Sequence, residues 1–213
     1  PLALTSAATR TAAILTELLA QVKVILSDEA KANMILLRGY AKYQQFPSMV
    51  DRFALKPLAI ANYPMYRGIA RLVGMQVNPL TYTIAEEIAA LEENYAKYDF
   101  FFLHVKPTDS NGEDGNFAGK VKVIEEVDAL LPRVTALNPD VLVITGDHST
   151  PATLKSHSWH PVPAVLAAPT CRPDRVEQFG ERACMQGGLG RMPMSHLMAL
   201  ALAHAQRLEK FGA

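Results

Sequence analysis

Apolar residues along the chain follow two different rhythms. From Ala8 to Leu26 they fall at Ala8, Ala12, Leu15, Leu18, Leu19, Val22, Ile25 and Leu26, the three-four spacing of one long helix. Thr5 and Ser6 are its candidate caps, since their hydroxyls can accept from N–H groups of a first turn. Beyond it come short runs without alternation: Met34–Leu37, Leu58–Ala61, Phe100–Leu103, Val141–Ile144 and Ala164–Ala167. Strands of that kind need cover on both faces, as in a parallel sheet between helices. Helical periodicity returns at Ile84–Tyr98, at Phe117–Leu131 and at Pro193–Leu208, where Pro193 suits a first turn. The alternation predicts an α/β fold, a doubly wound and mostly parallel sheet. The three runs at Phe100, Val141 and Ala164 are expected to be neighbouring central strands. Residues 1–55 are expected to form part of an inserted subdomain and residues 56–213 the core. The chain opens on Pro1 rather than Met and enters a helix at once, as a segment of a longer polypeptide would.

Composition narrows the function classes. Over 213 residues, 21 Lys and Arg balance 21 Asp and Glu, which argues against a nucleic-acid binder working through a basic surface. Residues that are 49% hydrophobic with cancelling charge do not describe a disordered chain. No apolar run is long enough for a membrane span. Two cysteines, Cys171 and Cys184, are too few for a disulfide framework, so a reducing, cytoplasmic setting is expected. Neither Gly-x-x-x-x-Gly-Lys nor Gly-x-Gly-x-x-Gly occurs, so the sequence gives no support for a nucleotide cradle.

Chemistry collects where α/β sheets usually carry it, past the carboxyl ends of strands. His104 to Gly115 follows one run, Thr145-Gly146-Asp147-His148-Ser149-Thr150-Pro151 another, and His157-Ser158-Trp159-His160-Pro161-Val162-Pro163 precedes a third. Carboxylate and imidazole together suit Mn²⁺, Zn²⁺ or a similar ion. Asp109 and Glu113 can turn towards one ion from a Gly-containing loop, whereas the adjacent Asp147 and His148 are expected to diverge. Arg38 and Arg67, each before a Gly and each placed after a run, are candidates for two-pronged binding of phosphate or carboxylate. Lys106 adds charge, and His160 is a further candidate contact. His104 is read as a satisfied or supporting imidazole, and His196 and His204 as surface or packing residues.

The segments Thr-Gly-Asp-His-Ser-Thr-Pro, His-Ser-Trp-His-Pro-Val-Pro and Lys-x-Thr-Asp-x-x-Gly-x-Asp-Gly resemble the cofactor-independent phosphoglycerate mutases of archaeal type, in the alkaline phosphatase superfamily. The likeness extends to Asn33–Gly39, to Tyr63–Met75 and to Glu181–Arg191. It implies two divalent ions, Mn²⁺ first with Mg²⁺, Zn²⁺ or Co²⁺ as alternatives, and no 2,3-bisphosphoglycerate. One ion would take Asp109, Glu113 and His157; the other would take Asp147 and His148. Glu113 stands where the family commonly has His, a change favouring harder ions. The family's nucleophilic Ser and a further metal-binding Asp have no counterpart in this chain. The implied activity interconverts 3-phosphoglycerate and 2-phosphoglycerate through a phosphoserine, in glycolysis or gluconeogenesis. The alternatives are a metal-dependent phosphatase or phosphodiesterase, or a non-catalytic binder of phosphometabolites.

Overall fold

The structure, a computed structural model, describes residues 1–208; residues 209–213 of the expected core segment lie outside the described residues. The chain divides into two compact units, Pro1–Gln44 and Gln45–Ala213. The first unit holds a 3₁₀ turn at Ser6–Ala8 and then helix α1, Thr9–Ile25. Neither Thr5 nor Ser6 caps α1 through its hydroxyl: its N-cap is Ala8, entered from the 3₁₀ turn. The strand expected at Met34–Leu37 does not form, and Leu36 is 96% exposed. A strand is stable only on a partner ladder, and among the described residues this unit contains no second strand. Arg38 therefore lies exposed on an irregular segment rather than behind a strand.

The second unit opens with the short helix α2, Met49–Phe53, closed by a reciprocal Ser48–Asp51 capping box. Strand β1 is Pro57–Ala61, α3 is Pro64–Leu72, β2 is Gln76–Val77, α4 is Ile84–Asn94 and β3 is Phe100–His104. These strands make a parallel sheet in the order β2-β1-β3. Every residue of β1 is buried. Leu58 and Ile60 point to one side, against Ala90 and Leu91 of α4; Ala59 points to the other, against Ala70 of α3 and Met75. The unbroken apolar run of β1 is thus the sequence trace of a strand covered on both faces. Ala61 pairs with His104, so β1 and β3 end level and their outgoing loops emerge side by side.

Helix α5, Pro107–Glu113, replaces the loop expected there, with Pro107 in its first turn. Helix α6 runs Phe117–Ala136, through Pro132 and past the expected end at Leu131. Proline removes one backbone donor, but side chains on the far side of Pro132 anchor the last turn. Arg133 grips Glu92 of α4 at 2.9 and 2.5 Å, and Val134 and Leu137 join the core beside Leu91.

Strands β4, Leu142–Thr145, and β5, Ala164–Ala167, pair antiparallel with each other, in a sheet separate from β3. The expected trio of neighbouring central strands is therefore not formed. A parallel return needs a crossover, usually a helix, and residues 146–163 contain none. Helices α7, Glu181–Cys184, and α8, Ser195–His204, complete the described chain, with α8 starting two residues after Pro193. No helix among the described residues is long and apolar enough to cross a membrane.

Candidate metal centre

Asp109 and Glu113 stand four apart on α5, so the helix places both on one face. Asp147, His148 and Thr150 come from the loop after β4. That loop is tied to the irregular segment before β5 by an isolated bridge, Ser149 with Ser158, which brings His157 in. Gly112 lets α5 meet this loop. A Cβ there would stand 2.3 Å from the Thr150 carbonyl oxygen, so no larger residue fits without movement.

The result is a row of five donors: Glu113, His157, Asp109, His148 and Asp147. Oδ1 of Asp109 lies 3.6 Å from His157 Nε2 and 3.8 Å from His148 Nδ1. His157 Nε2 is 3.5 Å from Glu113 Oε1, and His148 Nε2 is 3.4 Å from Asp147 Oδ2. The two imidazoles lie 3.8 Å apart between centroids, tilted by 30°. Asp147 and His148 do not diverge as adjacent residues of an extended segment would. The His148 N–H donates to Asp147 Oδ1 at 3.0 Å, which curls the carboxylate back towards the imidazole.

Separations of 3.4–3.6 Å between nitrogen and carboxylate oxygen are long for hydrogen bonds. They match the edge of a tetrahedron around an ion, about 3.4 Å when each ligand stands about 2.1 Å from the metal. Asp109, His148 and His157 each offer a donor atom within 4.8 Å of the others. The donor chemistry, carboxylate and imidazole without thiolate, fits a divalent transition-metal ion.

Electrostatics keep the Asp109 and Asp147 carboxylates ionised. Partial burial works against the charge of Asp109, but hydrogen bonds from Lys106 and Thr150 outweigh it and hold its carboxyl below the usual range. At Asp147 burial is likewise overcome, by the Tyr66 hydroxyl and by His148. Burial pushes the Tyr66 phenol well above its ordinary value, and Asp147 adds to this, so Tyr66 is a constant donor. Lys106 loses to burial and gains more from Asp109, which keeps it charged; its Nζ also lies 4.7 Å over the Tyr63 ring.

The remaining candidates lie as follows. Arg67, half-buried, donates from Nη1 to the carbonyls of Ala61 and Asn78, at 2.7 and 2.8 Å, which ties the carboxyl end of β1 to the segment after β2. His160 is exposed, its Nδ1 2.9 Å from Ser158 Oγ and its ring stacked on Trp159. His104, expected to be satisfied, has a buried Nδ1 without a partner among the described residues; burial lowers its pKa. His204 meets Thr170 at 2.7 Å on α8, far along the chain from these loops.

Sequence reasoning missed Tyr66, Thr150 and Lys120. Tyr66 and Thr150 stand inside segments that carry the family resemblance, but neither residue type by itself signals a metal centre. Lys120 donates to the Thr150 carbonyl at 2.7 Å, a contact between residues 30 apart that no local pattern announces.

A profile described as Metalloenzyme superfamily matches residues 16–204. A Thermotoga maritima protein named probable 2,3-bisphosphoglycerate-independent phosphoglycerate mutase is 52% identical over 204 residues, 96% of this chain and 51% of that protein. A Thermus thermophilus protein of the same name is 51% identical over 214 residues, 99% of this chain and 53% of its own length. The chain thus spans about half the length of these relatives. Among solved structures, the PH0037 protein from Pyrococcus horikoshii superposes with a TM-score of 0.85 at 30% identity, over 98% of this chain and 60% of that one. The cofactor-independent phosphoglycerate mutase from Thermoplasma acidophilum superposes at 0.66 over 92% of this chain and 52% of its own; at 23% identity the likeness is one of fold.

Proposed function

Because this chain belongs to the Metalloenzyme superfamily, we propose that it supplies the metal centre of a cofactor-independent phosphoglycerate mutase. The observation that carries this reading is the five-donor row, with its separations of 3.4–3.8 Å. Asp109, Glu113 and His157 would hold one ion, and Asp147 with His148 would hold a second, manganese being the expected metal. Bound there, the ions would neutralise charge on a transferring phosphoryl group and activate an acceptor oxygen. The acceptor in this reading is a serine outside the 213 residues.

The chain's own groups prepare the site. Lys106 balances Asp109 and offers a fixed positive charge beside it. Tyr66 holds Asp147 towards His148. His160, exposed three residues after His157, would contact a small phosphorylated substrate. Arg38 and Arg67 belong to the same reading as contacts for phosphate or carboxylate. The reading puts the protein in glycolysis or gluconeogenesis and in the cytoplasm.

A chimera tests it, with this chain replacing the matching half of the Thermotoga maritima relative. Conversion of 3-phosphoglycerate, followed by coupling to enolase, should depend on Mn²⁺ and should exceed phosphate release. The 213 residues alone should take up at most one well-held Mn²⁺ and show no turnover. Phosphate release without isomerisation would make the enzyme a phosphatase. A folded, doubly loaded chimera that does neither would overturn the reading.

A further inference from the structure

We propose that Thr150 is a positioning residue that fixes the tautomer of His148 and thereby chooses which ring nitrogen is free to meet an ion. The consequence for metal binding rests on the metal-centre reading; the tautomer itself does not.

The tautomer is set by how many hydrogens the three groups have to share. Thr150 is 3% exposed, and its Oγ1 lies 2.5 Å from Asp109 Oδ1 and 3.0 Å from His148 Nδ1. A hydroxyl carries one hydrogen, and an ionised carboxylate can only accept. Asp109 is ionised because its other oxygen faces the Lys106 ammonium. The Thr150 hydrogen therefore goes to Asp109. The contact with His148 must then be made by a hydrogen on Nδ1, donated to the Thr150 oxygen. A neutral imidazole protonated at Nδ1 keeps its lone pair on Nε2. In that neutral form the nitrogen facing Asp147 Oδ2, at 3.4 Å, carries no hydrogen.

Thr150 can impose this because it is itself held from several sides. Lys120 of α6 donates to its carbonyl, α5 packs on it through Gly112, and its neighbour Ser149 is bridged to Ser158. Asp109, on one side of the hydroxyl, and His148, on the other, are thereby tied into one hydrogen-bonded unit. Partners of this kind orient metal ligands and tune their basicity.

The test is nitrogen spectroscopy on ¹⁵N-histidine-labelled, metal-free protein at about pH 8, above the ordinary imidazole pKa. His148 should show a protonated Nδ1 and a bare Nε2. Thr150→Ser should keep that pattern, and Thr150→Val should lose it. In the chimera, affinity for the second Mn²⁺ should fall ~10–100-fold in Thr150→Val and stay near wild type in Thr150→Ser. Should the valine variant fail to fold, the wild-type spectrum decides alone. A bare Nδ1 in the wild type, or a folded Thr150→Val with unchanged tautomer and affinity, overturns the proposal. The expected tautomer with no Mn²⁺ binding would uphold it and sink the metal-centre reading instead.

Discussion

The backbone N–H of Ser158 donates to the carbonyl of Ser149 at 2.8 Å, and this one bridge sets the imidazoles of His148 and His157 against each other. Nothing else in the 149–158 loop is regular strand. The imidazole pair depends on that loop being pinned, and α5 pins it.

Gly112 makes that docking specific. Alanine in a helix interior is ordinarily favoured over glycine by about 1 kcal/mol. Here its methyl would meet the Thr150 carbonyl at 2.3 Å and the Thr150 methyl at 3.0 Å. Overpacking of this kind costs about 1–3 kcal/mol, so the collision outweighs the propensity. Gly112→Ala should be destabilised in urea unfolding and should bind Mn²⁺ more weakly. An increase in stability would show that the loop yields freely.

Glu87 offers a test of the core apart from any ion. It is 4% exposed; Asn62 Nδ2 donates to Oε1 at 2.8 Å, and Oε2 has no partner among the described residues. Burial raises its pKa from 4.5 to about 7. Between those values the folded protein holds a proton that the unfolded chain has released. Stability should therefore fall as pH rises from about 4.5 to about 7 and then level off. The loss is on the order of a few kcal/mol. Glu87→Gln keeps the bond to Asn62 without the charge, so its unfolding free energy should lack this fall and exceed the wild type's at neutral pH. An equal slope in both proteins would place the titration elsewhere.

Much of this was legible in the chain. The bare apolar run of β1, the acidic helix α4 and the segments carrying the carboxylates and histidines all follow from local pattern. What was not legible depended on partners. Met34–Leu37 has strand composition but no strand to pair with, and β4 and β5 look like parallel strands until the missing crossover helix is noticed. Asp109 to Glu113 contains Asn and Gly, as turns do, yet folds as a helix because Pro107 starts it and Asn111 bonds back to the Pro107 carbonyl at 2.8 Å. Thr150 and Tyr66 acquire meaning only from what stands beside them.

In the proposed centre, Glu113 would set the metal preference. Its Oε1 lies 3.5 Å from His157 Nε2, a spacing suited to a shared ion. Glu113→Gln should weaken that ion, and Glu113→His should move selectivity from Mn²⁺ towards Zn²⁺ or Co²⁺. Competition titrations would read both effects. Unchanged affinity and order in the two variants would leave Glu113 as a helix-end residue only.

Tyr66 bears on the second ion of the proposed centre. Its ring packs edge-on against His104 at 4.3 Å and against Tyr63 at 5.6 Å, while its hydroxyl donates to Asp147 Oδ2. That oxygen is also the one facing His148 Nε2. A carboxylate oxygen has two lone pairs, so the phenol can occupy one and leave the other directed at an ion. Tyr66→Phe keeps the ring packing and removes only this bond. Since Asp147 is about half exposed, the cost in stability should be at most about 1 kcal/mol. Affinity for the second Mn²⁺ in the chimera should fall by roughly tenfold, while the first is unchanged. Tighter binding in Tyr66→Phe would mean the opposite relation: the hydroxyl competes with the ion for Asp147, and loading the site requires Tyr66 to let go.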